Sequence, residues 1–190
     1  QPALRMHGHD DLEVAARLAI AERLDRAHDH GAARRDLVLE GFVITRGING
    51  IAIQESTAIT IRHNQITAHN THGISISTNA TGIVITANLL ANNEQHGLQV
   101  SGNSEATVTQ NTMRQNGVRG MSLNASRATI VGNLFEGNLE NGISIVSGSI
   151  AELTGNTSTG NARDGFSITE RSRAALTSNM SRNNGANGVG

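Results

Sequence analysis

"NGISIVSGSIAELTGN" occupies residues 141–156, and its reading decides the fold. Gly142 opens a unit with Ile143 and Ile145 one residue apart. A small polar stretch follows, then the alternation Ala151, Leu153, and a closing Asn156. Nothing in it is acidic, basic or aromatic enough to suggest chemistry, yet near-copies stand on both sides. Aligned on Gly, the copies fall at Gly50, Gly73, Gly97, Gly120, Gly142, Gly165 and Gly188, 22 to 24 residues apart. The first six open "GIAI", "GISI", "GLQV", "GMSL", "GISI" and "GFSI". A period of this length marks a repeat architecture.

Two polar columns share the period. Asn64, Asn88, Asn111, Asn133, Asn156 and Asn179 each lie nine residues before the next Gly. Five residues after each come His69, Asn93, Asn116, Asn138, Asn161 and Asn184. Three and five positions before each first-column Asn the residues are apolar, as in Ile61 and Ile59 or Leu153 and Ala151, with Thr frequent between them. That is the period-two alternation of a half-buried strand. Two positions after each such Asn come Ile66, Leu90, Met113, Phe135, Ser158 and Ser181. Each period therefore predicts three short strands, with Asn or Gly corners where left-handed backbone is tolerated at low cost. One coil cannot bury its own apolar side. Stacked at ~4.8 Å, the coils place like on like, and the Asn amides bond up and down the stack. Each copy of the repeat is the partner of the next.

"AITIRHNQI" (58–66) also fits a leucine-rich-repeat core, whose period overlaps this one. The remainder of each period, "GISISTNATG" or "GLQVSGNSEA", is strand and turn material rather than helix, which favours the β-solenoid. Residues 36–190 resemble the right-handed parallel β-helix repeat family, the pectin-lyase-like architecture, on the pattern seen in "NTHGISISTNATGIVITANLLANNEQHGLQV" (70–100). The resemblance implies right-handedness, six to seven coils, and an extracellular, cell-surface or periplasmic location. It also implies a family that holds polysaccharide lyases, mannuronan epimerases and glycoside hydrolases beside non-catalytic scaffolds, so fold alone does not fix activity.

Composition narrows the classes. A net charge of −1 supplies no field for nucleic acid or an anionic membrane. No apolar run approaches ~18 residues, so no membrane insertion is expected. There is no Cys, so thiolate metal sites are not available; the aromatics are three Phe with no Trp or Tyr, which weakens a stacking platform for sugars or bases, and all 15 basic residues are Arg. No cofactor is implied.

The first 35 residues differ in kind. Asp10 with Glu13 forms a capping box, Gly31 suits a helix C′ position, and a broad apolar stripe runs between. These predict a helix over 11–28 that caps a β-helix of residues 36–190. The chain opens on Gln1, which predicts a removed upstream segment such as a signal peptide. It stops at "GANGVG" without a polar closing coil, which predicts either a piece of a longer solenoid or an open end available for head-to-tail self-association.

His is the conspicuous functional residue type. "HGH" (7–9) and "HDH" (28–30) have the look of metal ligands, but ~18 helical residues would hold them roughly 27 Å apart, so no metal site is expected. The residues before each Gly are Asn49, His72, His96, Arg119, Asn141, Asp164 and Asn187. His72, His96 and Arg119 would stand in one column, with His63 and His69 on the same or an adjacent coil. A lyase or epimerase needs a base beside a uronate carboxylate and cations or amides to steady the resulting charge, and these three fit those roles. Against this stand the uncharged outward positions Ala52, Ser75, Gln99, Ser122, Ser144 and Ser167, and the lack of long loops. The carboxylate clusters and "DPHD"-type motif that the resemblance leads one to expect of an epimerase are also missing. The expected function is therefore a non-catalytic surface β-solenoid, structural or polysaccharide-associated. A lyase or C5-epimerase acting on an acidic polysaccharide is the alternative. An ice- or mineral-binding Thr column at Thr60, Thr107 and Thr129 is broken by Val84, Glu152 and Ala175. Of the glycan-acceptor sequons at Asn79, Asn124, Asn156 and Asn179, the last two fall in the Asn column.

Overall fold

A computed structural model describes residues 37–190. The helix expected at 11–28, the domain boundary at 35/36 and the His residues of 7–9 and 28–30 lie outside the described residues. From Leu37 onward the chain repeats strand, corner, strand, corner, strand, turn, and the three strands of each coil enter three parallel sheets. Sheet A has seven strands, from Leu37–Glu40 through Thr57–Arg62 and Thr81–Thr86 to Arg173–Thr177. Sheet B has seven three-residue strands, from Val43–Thr45 to Met180–Arg182. Sheet C has six, Ile51–Gln54, Ile74–Ser77, Leu98–Val100, Met121–Asn124, Ile143–Val146 and Phe166–Ile168. All pairings are parallel, so every strand bonds to its counterpart one coil away.

The apolar columns meet in register. Ile59 faces Ile83 and Ile61 faces Ile85 in sheet A, and Leu90, Met113 and Phe135 succeed one another in sheet B. These side chains form one continuous core along the axis. The column is not uniformly apolar. Ser158 follows Phe135 and is fully buried, with its hydroxyl donating to Gly165 O at 2.9 Å. The same coil carries Phe166 in sheet C, so a small side chain on one wall is matched by a large one on the next.

The corners depart from expectation. Neither Asn column is left-handed. The positive φ sits on the residue just before it: His63, Ala87, Gln110, Gly132, Gly155 and Ser178 ahead of the first column, and Ala68, Asn92, Gln115, Gly137, Gly160 and Asn183 ahead of the second. The left-handed residue turns the chain, and the Asn that follows points into the stack. The Gly column is not left-handed either. Its requirement is steric: a Cβ on Gly97 would lie 2.7 Å from Gly120 O and 2.9 Å from Asn116 Nδ2.

Both Asn columns form ladders. In the first, Asn64, Asn88, Asn111, Asn133 and Asn156 each donate Nδ2 to the Oδ1 of the next, at 2.9–3.0 Å. Each also donates to a carbonyl one coil back, such as Asn111 to Ile85 O at 2.8 Å. The second runs Asn93, Asn116, Asn138, Asn161, Asn184, at 2.8–3.0 Å per step. A third ladder, which sequence reasoning missed, lies at the C-to-A turn. Ala80 N, Ser104 N, Ser126 N and Ser149 N donate to the hydroxyls of Ser104, Ser126, Ser149 and Ser172, at 3.1–3.2 Å. Buried backbone donors at all three corners thus find side-chain acceptors one coil away.

Candidate functional site

Sheet C and the column before each Gly hold the candidate residues His72, His96 and Arg119 and the outward serines. The inward residues of the sheet are core, so alternation turns Ala52, Ser75, Gln99, Ser122, Ser144 and Ser167 outward in one row. Outward residues on a sheet are ordinarily exposed, yet Ser122, Ser144 and Ser167 are only 3%, 2% and 7% exposed. They are short side chains, and two residues on in the same strands stand Asn124 and Val146. Their hydroxyls make no hydrogen bond among the described residues, although they are not sealed from solvent. Three sunken hydroxyls at ~4.8 Å steps are therefore left without a side-chain partner among the described residues.

The column before Gly forms one margin of this row. The His72 and His96 rings stack with centroids 5.0 Å apart and planes 16° from parallel. His96 N donates to His72 Nδ1 at 3.4 Å, which leaves the His72 proton on Nε2. His96 Nδ1 is buried with no partner. Burial, then the neighbouring His72 and Arg119, push the His96 pKa down to about 3, and burial lowers His72 as well. Arg119 Nε donates to Glu140 Oε2 at 3.2 Å, with both side chains less than a third exposed. Further along, Asn141 Oδ1 accepts from Asp164 N and Asp164 Oδ1 accepts from Asn187 N, each at 3.0 Å.

The structure brings His72, His96 and Arg119 onto successive coils, with burial lowering both imidazoles and Arg119 paired to Glu140. With its pKa lowered to about 3, the His96 imidazole is unprotonated at neutral pH. The guanidinium is already engaged by Glu140. His63 and His69 stand elsewhere. His63 is at the A-to-B corner, 3.1 Å from Glu40 Oε1, where Arg62 donates to the other oxygen at 2.8 Å. His69 is 1% exposed in the second ladder, with Nε2 3.2 Å from Ile44 O. Among the described residues no three His, Asp or Glu side chains cluster to hold a metal ion, and no helix is long and apolar enough to cross a membrane. Sequence reasoning missed the Arg119–Glu140 pair. Its signal was opposite charges 21 residues apart, close to one coil.

Residues 29–158 match the family model described as "Right handed beta helix region", and the chain belongs to that family. Among solved structures it is similar to a mutant of the periplasmic alginate epimerase AlgG, at 25% identity and a TM-score of 0.75, covering 82% of this chain and 42% of that one. It is also similar to the A-module of the Azotobacter vinelandii mannuronan C-5 epimerase AlgE6, at 17% identity and a TM-score of 0.64, covering 81% of this chain and 54% of that one. The enzymatically active domain of bacteriophage CBA120 tailspike protein 2 is similar at 15% identity and a TM-score of 0.55, covering 85% and 29%. At 17% and 15% identity the last two show the shared fold alone. The chain spans less than two thirds of each of these proteins. The comparison with curated proteins gave no match.

Proposed function

We propose that this chain is a polysaccharide-associated β-helix that holds a glycan along sheet C without transforming it. The observation that carries the reading is the row of sunken, unpartnered hydroxyls at Ser122, Ser144 and Ser167, continued by the half-buried Ser75 and Gln99. It offers one polar contact per coil in a straight line. The ~4.8 Å coil spacing is close to the advance per sugar of an extended 1,4-linked pyranose chain. The 25% identity to AlgG supports a polysaccharide as the partner and a place in the periplasm or outside the cell. End-to-end self-assembly is a separate proposal. Leu176, Met180 and Val189 on the last coil are 41%, 52% and 56% exposed, and a further coil, from a continuation of this chain or a second copy, would cover them. Rods that lengthen with concentration in negative-stain micrographs would support the second copy.

The second reading is a lyase or C-5 epimerase acting on an acidic polysaccharide. The likeness to AlgG and the succession His72, His96, Arg119 favour it. The depressed His96 and the engaged Arg119 oppose it. The two separate in one experiment: retardation of the chain in gels containing polysaccharide, beside NMR of polymannuronate and polygalacturonate incubated with it. Retention with unchanged polymer is the expected result. New guluronate or unsaturated ends that vanish in His96→Ala would move the assignment to the enzyme.

A further inference from the structure

We infer that the glycan held along sheet C is electrically neutral and rich in hydroxyls, not a polyuronate; this rests on the reading of that face as a glycan site. A polyuronate brings one carboxylate per sugar, so a face that holds it needs positive potential repeated at the coil spacing. The floor has none, because Ser122, Ser144, Ser167 and Gln99 are all uncharged. The margin before Gly has one cation, Arg119, and Glu140 already takes its Nε–H at 3.2 Å. The stacked imidazoles beside it are neutral at ordinary pH, since burial depresses both.

The two positions before each Gly hold Arg119 and Arg163 against Glu140 and Asp164, so this margin carries no excess of positive charge. Glu55 and Glu170 are exposed at the far edge, where Glu170 accepts from Ser147 Oγ at 2.9 Å. Such a face has no repeated positive charge to attract a polyanion. Its chemistry instead suits sugar hydroxyls, which both donate and accept. The serine hydroxyls and the Gln99 amide do both, and Asp164, with one oxygen engaged by Asn187 N, keeps the other as an acceptor.

The test is affinity gel electrophoresis of the full chain. Neutral polymers (galactomannan, mixed-linkage β-glucan, dextran) are run beside alginate and polygalacturonate, each at low and high salt and with calcium or EDTA. The expected result is retention by at least one neutral polymer, with an apparent Kd that changes less than about twofold from low to high salt, because no counterions are released. Ser144→Leu, which fills the floor, is expected to weaken that retention about tenfold or more, while Ser144→Ala, with the floor left open, weakens it less. Thermal melts of both variants separate lost binding from lost folding. Retention by the acidic polymers alone, whether salt-sensitive or calcium-dependent, overturns the inference and leaves the glycan reading standing. Retention by nothing overturns that reading as well. Neutral retention unchanged in a folded Ser144→Leu chain overturns the assignment to sheet C.

Discussion

The side-chain amide of Asn111 donates to Ile85 O at 2.8 Å, to Asn133 Oδ1 at 3.0 Å and to Thr109 O at 3.0 Å, while its Oδ1 accepts from Asn88 N at 2.9 Å and Asn88 Nδ2 at 3.0 Å. Asn111→Ala strands several buried groups at once, and each unsatisfied group costs about 1–3 kcal/mol, so a total loss of about 3 kcal/mol or more is expected by urea denaturation. Thr129→Ala, on the exposed face of sheet A, is expected to change stability by less than about 0.5 kcal/mol. A second expectation concerns acid. His96 titrates near 6.5 in the unfolded chain and near about 3 in the folded one, with His69 and His72 lowered in the same sense by burial. The folded state therefore binds fewer protons below pH ~6.5, and stability present in full above that value falls as pH drops toward ~3. His96→Asn, a residue type this column already uses at Asn141, is expected to flatten the slope of stability against pH across that window. An unchanged slope would mean that His96 is open to solvent. At this scale the ladder residues were legible because only Asn recurs there. The corner residues were not: left-handed backbone falls on Ala68, Ala87 and Gln110 as readily as on Gly132, so side-chain identity carries no signal.

Each coil is a unit whose partners are the coils on either side, so whole coils should be removable. Deleting residues 120–141 joins Arg119 to Gly142 and keeps the Gly spacing within the observed 22 to 24 residues. Every sheet register can then re-form between the flanking coils. The shortened chain is expected to fold with the same circular dichroism per residue and a urea m-value lower by roughly its lost share of buried surface. Deleting half that span shifts every column out of phase and is expected to abolish cooperative unfolding. The three strands per coil were readable from period-two apolar positions on either side of each Asn. The serine ladder was not, because Ala80 interrupts it and Ser is common throughout the chain. The sinking of Ser122, Ser144 and Ser167 was invisible for a different reason. Alternation says which way a side chain points but not how high its neighbours stand.

The described residues form a stack with one core along its axis and three parallel sheets, and among them sheet C is the one that presents sunken, unpartnered serine hydroxyls. A column was visible in the sequence at His72, His96 and Arg119, and the structure adds what the sequence did not show: the two rings stack, and Arg119 pairs with Glu140. The central claim is that sheet C is the glycan-holding wall. The most direct test is backbone-amide NMR of the full chain titrated with soluble gluco-, manno- and uronate oligosaccharides. The account predicts that shifts concentrate at residues 96–99, 119–122, 141–144 and 164–167, in step with the coil period. Shifts confined to the Thr face of sheet A, around Thr107 and Thr129, or no shifts with any of the sugars, would contradict it.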